Sequence, residues 1–335
     1  MLVYVLRRIS SLVLTLLIMM LVVFVLFRVI PGDPARLAAG RFTPEERVEE
    51  IREEMGFNKP VYIQFFIYIK GLLRFDFGKS LYTKRPVATD LRTYLPATIE
   101  LAFPSLLLAL LFGIPIGIIC AVSQNTWVDH IGRLVSISGV SLPVFWVALM
   151  AQWALYLRLG LLPGMGRLPA TIGAPANLTG FYLLDSLLTQ NWAVLGNVIL
   201  HLVLPVSCLA FVIIGQVSRM TRSSMLNVLR QDYIQTARAK GLTSTSVNFK
   251  HAFRNASLPI LTLTGQLLGQ LLAGVVLTET IFSWPGIGLY LVEAIMRLDT
   301  QPVLGFTVLT AMIYMLLNLI IDLLYVYVDP RIRLY

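Results

Sequence analysis

Side chains that carry chemistry are sparse in this chain and stand far apart. Its three histidines, His130, His201 and His251, lie in different segments, without H-E-x-x-H or any other ligand spacing. No serine stands in G-x-S-x-G, and no G-x-x-x-x-G-K-[ST] stretch offers backbone amides to nucleotide phosphates. Cys120 and Cys208 each fall inside an apolar run with no second cysteine nearby, which argues for two small buried hydrophobes and against a disulfide framework or thiolate metal site. His201 reads as a hydrogen-bonded structural residue. Asp322, in the last apolar run, would cost up to about 3 kcal/mol at mid-bilayer and less near the inner end, and reads as a paired structural acid. A proton relay through it is what a proton-coupled transporter would need. No metal site and no enzyme is expected, an intramembrane enzyme being the rival outside transport. What remains is a polar, basic stretch, "DYIQTARAKGLTSTSVNFKHAFRNASLP" at 232–259, set in an otherwise apolar chain.

The elements around it follow from composition. Of 335 residues, 57% are hydrophobic and 13% charged, against roughly 25% charged in soluble domains, and the mean hydropathy is +0.76. This is the composition of a multi-span membrane protein. The net charge of +9 sits in the flanks of apolar runs, as loop charges do, and not in a nucleic-acid patch. Apolar runs at 12–27, 99–123, 134–156, 198–218, 258–282 and 303–327 predict six membrane helices. The first is too long for the core of a cleaved signal peptide and is expected to be a retained span. Pro104, Pro115, Pro143 and Pro205 lie inside these runs with Gly113, Gly117, Gly265, Gly269 and Gly274. Such residues are tolerated in membrane bundles and favour bends and close backbone approach.

Arg7 and Arg8 precede the first span and Arg331 and Arg333 follow the last, so the positive-inside rule places both termini in the cytoplasm. The polar stretch, after four spans, then lies there too, with Arg219, Arg222, Arg230, Arg238, Lys240, Lys250 and Arg254 against Asp232. Residues 31–98 are expected outside as a small helical insertion. Thr43 as N-cap, Pro44 and Glu46 start a helix ending near Gly56, and Tyr62, Phe65, Phe66 and Ile69 recur at helical spacing. The chain thus divides into an N-terminal segment and first span (1–30), the insertion (31–98) and a core (99–335) with its polar loop at 223–257. In that loop Asp232 is the expected N-cap of a helix through Lys240, which Gly241 ends at positive φ. Ser244 or Thr245 should cap a second helix with Phe249, Ala252, Phe253 and Ala256 on one apolar face.

"YIQTARAKGL" followed by "RNASLP" resembles the EAA loop of permease subunits of binding-protein-dependent ABC importers. The peptide and nickel branch is indicated by "IPGDPARL" (30–37), "MTRSSML" (220–226), "LTETIFSWPGIG" (277–288) and "NLIIDLLYVYVDPRIR" (318–333). Only Ala237 and Gly241 match the general consensus. The resemblance implies an all-α permease of a bacterial inner membrane that pairs with a second permease, two cytoplasmic ATPase subunits and an extracytoplasmic solute-binding protein. ATP and Mg would be held by the ATPases, with no cofactor in this chain. It implies ATPase coupling through Asp232, Tyr233, Thr236, Ala237, Lys240, Gly241 and Leu242. Phe282, Trp284, Pro285 and Gly286 are expected at the outer interface, Trp284 as an aromatic anchor, and Ser141, Pro143, Gln266 and Gln270 along the translocation pathway. Dipeptides or short peptides are the expected cargo, "LTGFYLLDSLL" (178–188) hinting at D,D-dipeptides; glutathione and nickel chelates are the alternatives within the family.

Overall fold

The computed structural model describes residues 2–29, 35–36, 43–54 and 58–328. The expected helix stop at Gly56, most of "IPGDPARL" and the C-terminal Arg331 and Arg333 lie outside them. The helices are α1 (Leu2–Val29), α2 (Glu45–Glu54), α3 (Val61–Leu72), α4 (Val87–Val122), α5 (Trp127–Ser141) and α6 (Val144–Ala151). A π-helix (Gln152–Arg158) continues α6 and is followed by α7 (Tyr182–Leu188), α8 (Trp192–Leu229) and α9 (Asp232–Ala239). A second π-helix (Ser246–Phe253) runs into α10 (Arg254–Gly274), and α11 (Val276–Ile281), α12 (Ile287–Met296) and α13 (Thr300–Val328) complete the order. Among the described residues the extended structure is one isolated bridge, Lys79 with Pro86.

By length and composition Val87–Val122, Trp192–Leu229 and Thr300–Leu323 can each cross a membrane. Helix also covers the expected first span, and the expected fifth is made of α10 and α11 with a break at Val275. The expected third span, 134–156, is not one rod: α5 and the α6 segment meet at 100°. Pro143 is the cause, because a proline excludes helical backbone at the residue before it, and Leu142 is extended at ψ 128°. The core helix α4 starts at Val87, twelve residues before the expected boundary. Asp90 and Arg92 lower the hydropathy of its first two turns without interrupting the helix. In the insertion, Val48 N donates to Pro44 O at 3.2 Å, so Pro44 and not Thr43 takes the N-cap position. The α3 helix packs on α1, with Phe24 centroids 5.3 Å from Phe65 and 5.9 Å from Tyr68.

The bundle closes around α8 through glycines. A Cβ built on Gly113 would lie 2.9 Å from the Val217 side chain, and one on Gly117 2.5 Å from Thr221 Cβ. The register rises together along both helices, so α4 and α8 run parallel. Against α5 the order reverses: Gly139 faces Phe211 and Gly215, Ser136 Oγ bonds Ser218 Oγ at 2.6 Å, and Asp129 pairs with Arg222. On α10, Gly265 and Gly269 admit Ile321 and Tyr314 of α13, again antiparallel. The small-xxx-small pair therefore serves helix packing.

The Gly215 contact gives a test. Its Cβ would stand 2.6 Å from Ser136 O, a backbone atom that cannot rotate away, whereas a Cβ on Gly196 of the same helix meets nothing within 4 Å. Gly215→Ala should lower the thermal stability of the purified protein by about 1–3 kcal/mol through overpacking. Gly196→Ala should be neutral or stabilise by roughly 0.5–1 kcal/mol. Equal melting temperatures for Gly215→Ala and wild type would refute the packing described.

Candidate functional site

The polar stretch projects from one end of the bundle, where α8 ends and α10 begins. Asp232 occupies the first helical position of α9 rather than its N-cap. Gln231 is the extended residue before the helix and no side chain caps it. A residue already helical cannot fold its carboxylate back onto the next amides, so Asp232 contributes only its charge at the positive helix end. The other end is as expected. Gly241, at φ +76°, follows Lys240; Gly241 N donates to Arg238 O at 2.9 Å and Leu242 N to Ala237 O at 3.3 Å. These are the paired bonds of a Schellman stop, which needs a left-handed residue. An added Cβ would meet nothing within 4 Å. Glycine is required here by backbone conformation, not by space.

The next helix is capped by Thr243, whose hydroxyl accepts from Ser246 N at 3.4 Å, and not by Ser244 or Thr245. Its first part is wound as a π-helix, so the buried residues are Val247, Ala252 and Ala256, while Phe249 turns to solvent. Together with Ile234 and Ala237 of α9 they pack on Met225 of α8 and on Ile118 and Ala121 of α4. Of the expected coupling residues, Asp232, Tyr233, Thr236, Lys240, Gly241 and Leu242 are exposed, whereas Ala237 is buried beneath them. Asn255 Nδ2 donates to Tyr233 Oη at 2.7 Å and ties α9 to α10.

Under this projection lies a pair that sequence reasoning missed. Arg222 donates through Nε to Asp129 Oδ1 at 2.7 Å and through Nη2 to Oδ2 at 2.8 Å. Asn125 N adds a bond of 3.1 Å to the fully buried Asp129. By sequence Arg222 reads as one of the loop charges, and no sequence signal links it to an aspartate 93 residues away.

The opposite end of the bundle is held as firmly. A connector, residues 159–191, lies across it with Arg167 buried in an ion pair with Glu100. The Arg167 guanidinium sits 3.5 Å over the Tyr182 ring, and Leu183 N donates to Glu100 Oε1 at 2.6 Å. Burial disfavours the charged form of Asp185, but the Thr179 hydroxyl and the amides of Thr179 and Gly180 offset it and hold its pKa below the ordinary aspartate value. The elbow from α11 to α12 is clamped to α4. Thr98 Oγ1 donates to Glu279 Oε1 at 2.6 Å and accepts from Ile287 N at 2.9 Å, and Trp284 Nε1 donates to Ala97 O at 2.8 Å. Trp284 and Phe282 are therefore core side chains, 0% and 1% exposed. The expected aromatic anchor is corrected: the indole found its partner inside the protein and not at the membrane surface. Gly286 is also buried, against the Glu279 carboxylate, and Pro285 is half-buried.

The expected pathway residues Ser141, Pro143, Gln266 and Gln270 are all exposed on the surface of this chain. Ser141 and Pro143 flank the α5–α6 bend, and Gln266 and Gln270 lie one turn apart on α10. His201 is buried with Nδ1 2.8 Å from Asn197 O, a bond to the preceding turn.

The described residues thus form a bundle of long apolar helices with a polar projection at one end and a clamped connector at the other. The solved structure of the MetNI methionine ABC transporter, in an inward-facing conformation, has a chain of the same fold, at TM-score 0.52 and 14% identity over 70% of this chain and 93% of that one. Residues 113–334 match the family of binding-protein-dependent transport system inner membrane components, and residues 1–102 match the N-terminal part of such membrane components. The chain belongs to this family and is a multi-pass transport permease. It is 47% identical to the probable D,D-dipeptide transport system permease protein DdpB of Escherichia coli K12, over 97% of this chain and 96% of that protein. It is 41% identical to the dipeptide transport system permease protein DppB of Alkalihalophilus pseudofirmus, over 99% of this chain and 100% of that one.

The Asp129–Arg222 pair predicts a coupled loss. Asp129 is fully buried and Arg222 only partly so, with Arg133 3.7 Å away as a weaker second partner, so breaking the bidentate pair costs about 1–3 kcal/mol. Asp129→Asn and Arg222→Gln should each destabilise the purified protein, and the double variant should lose less than the sum by at least about 1 kcal/mol. Strict additivity in a double-mutant cycle of melting curves would show that the two charges do not depend on one another.

Proposed function

We propose that this chain is one of two permease subunits of an ATP-driven importer of dipeptides or short peptides. The cargo class rests on the names of its relatives. The family description supports a solute-binding protein as donor, and the lack of any phosphate-cradling motif leaves ATP and Mg to two partner ATPase subunits. With six spans, the end carrying the polar stretch and both termini face the cytoplasm, and the 31–98 insertion and the 159–191 connector face outward. The pathway candidates, three polar side chains and Pro143, are exposed on this chain, so a second permease would complete the route between them. The binding protein would dock on the outer end, where Phe282, Trp284 and Gly286 shape the elbow from within and Pro285 stands at its edge.

The observation that carries the reading is the Schellman-stopped helix α9, apolar on its inner side and polar on its outer. Solvation alone needs no such construction. An ATPase gripping Asp232, Tyr233, Thr236, Lys240 and Leu242 would move a stiff unit whose inner face presses on α4 and α8.

Gly241 supplies the test. A β-branched residue there costs roughly 1–2 kcal/mol in the left-handed region, whereas asparagine visits that region routinely. In the reconstituted complex Gly241→Val should lower uptake and binding-protein-stimulated ATP hydrolysis together, by about five- to thirtyfold, with cargo binding to the solute-binding protein unchanged. Gly241→Asn should stay close to wild type. A fully coupled Gly241→Val complex would rule out the projection as the transmission element.

A further inference from the structure

The π-helix at Ser246–Phe253 changes which side chains the projection offers. At 3.6 residues per turn, Val247 and Ala252 would point about 140° apart and could not share a face. They are 1% and 0% exposed and lie in one cluster with Ile234 and Ala237. The wider winding puts both inside and leaves Phe249, between them, 56% exposed. Its neighbours Asn248, Lys250 and His251 are polar, and the apolar run begins nine positions further on, at 258. At about 1.5 Å per residue this is more than 10 Å beyond the span. Between residues 230 and 254 the exposed large apolar side chains are Tyr233, Leu242 and Phe249. The exposed charges there are Arg230, Arg238, Lys240, Lys250 and Arg254 against Asp232.

We infer that Phe249 is a second apolar anchor of this projection, and that the surface receiving it is an apolar pocket ringed by carboxylates on the soluble ATPase subunit. The inference rests on the coupling reading above and adds to helix α9, which carried it, a residue of the second helix of the same loop. An aromatic ring held out among cations matches the pattern of interface hot spots, in which a desolvated aromatic centre lies within a charged rim. The five-to-one excess of basic groups selects an acidic partner. The ring belongs to none of the chain's apolar clusters, so its removal should not disturb the permease itself.

The experiment measures binding of the ATPase subunits to the permease pair in nanodiscs. Phe249→Ala should raise the dissociation constant about tenfold or more, with the melting temperature of the permease pair unchanged, and Phe249→Trp should restore most of the affinity. Lys250→Glu with Arg254→Glu should weaken binding at low salt and converge with wild type well above physiological ionic strength, where exposed charges are screened. Unaltered affinity in Phe249→Ala, with Gly241→Val still uncoupled, would remove the anchor and leave the coupling reading standing. If both variants were silent, both readings would fall. Emission of Phe249→Trp that is quenched by brominated lipid, and stays quenched when the ATPases are added, would place the ring in the bilayer and overturn the proposal. Salt-independent binding would overturn the acidic rim.

Discussion

At Gly117 an added methyl would reach 2.5 Å from Thr221 Cβ and 2.7 Å from Ser218 O; at Gly215 it would reach 2.6 Å from Ser136 O. These contacts let α4 and α5 lie against adjoining faces of α8, with Ser218 shared between them and backbones nearly touching. In a bilayer the lipid tails are as apolar as the side chains, so helices are held by close van der Waals fit and not by expulsion of water. The glycines are therefore what makes α8 a common axis, and the other contacts follow from its position. With 38 residues it is about 57 Å long, and α4 with 36 residues about 54 Å. Both exceed the roughly 30 Å of hydrocarbon, so their ends stand in the headgroups or beyond.

The position of the charged pairs follows from that excess length. Asp129 with Arg222 lies at one end and Glu100 with Arg167 at the other, while the shared core between them is apolar. A buried ion pair is weak as a source of stability compared with an apolar replacement, but it fixes one geometry, because either charge alone is costly. At the projection end the pair locks the start of α5 to α8, beneath the exposed face of α9. At the opposite end it locks the connector to α4, with the ring of Tyr182, the first residue of α7, closing over the guanidinium.

The readable parts of this fold were those set by local or compositional physics. Membrane helices follow from runs of apolar residues because every backbone group in lipid must find its partner within the segment. The stop at Gly241 follows from the steric cost of a left-handed residue. Pro143 was legible as a residue that favours a bend within one span, yet the 100° break was not, because its size depends on what each half packs against. Trp284 shows the same limit: a tryptophan after an apolar run fits an interface anchor equally well until its indole is seen to donate to Ala97 O. The π winding at 246–253 was hidden because Phe249, Ala252, Phe253 and Ala256 form a plausible α stripe. The competing solution buries Val247, and only the three-helix pocket made by Ile118, Met225 and Ile234 selects it. Asp129 was missed because its partner is distant in sequence.

Those same contacts give α4 a particular place in the bundle. Its last turns, through Ile118 and Ala121, form part of the floor on which Ile234, Ala237 and the π segment rest. Its first turns, through Ala97, Thr98 and Glu100, hold the elbow and the connector. A displacement of α9 thus presses directly on a helix whose far end carries every clamp described there. Pro104 and Pro115 lie between the two ends, where they remove backbone hydrogen bonds and make bending easier. Such a helix can transmit a rotation or absorb it at the prolines, depending on how tightly its middle is gripped. Gly113 and Gly117 bracket Pro115 and seat that stretch on Val217 and Thr221 of α8. The seam that holds the bundle together thus also braces the part of α4 around Pro115, where a missing backbone bond would otherwise make bending easiest.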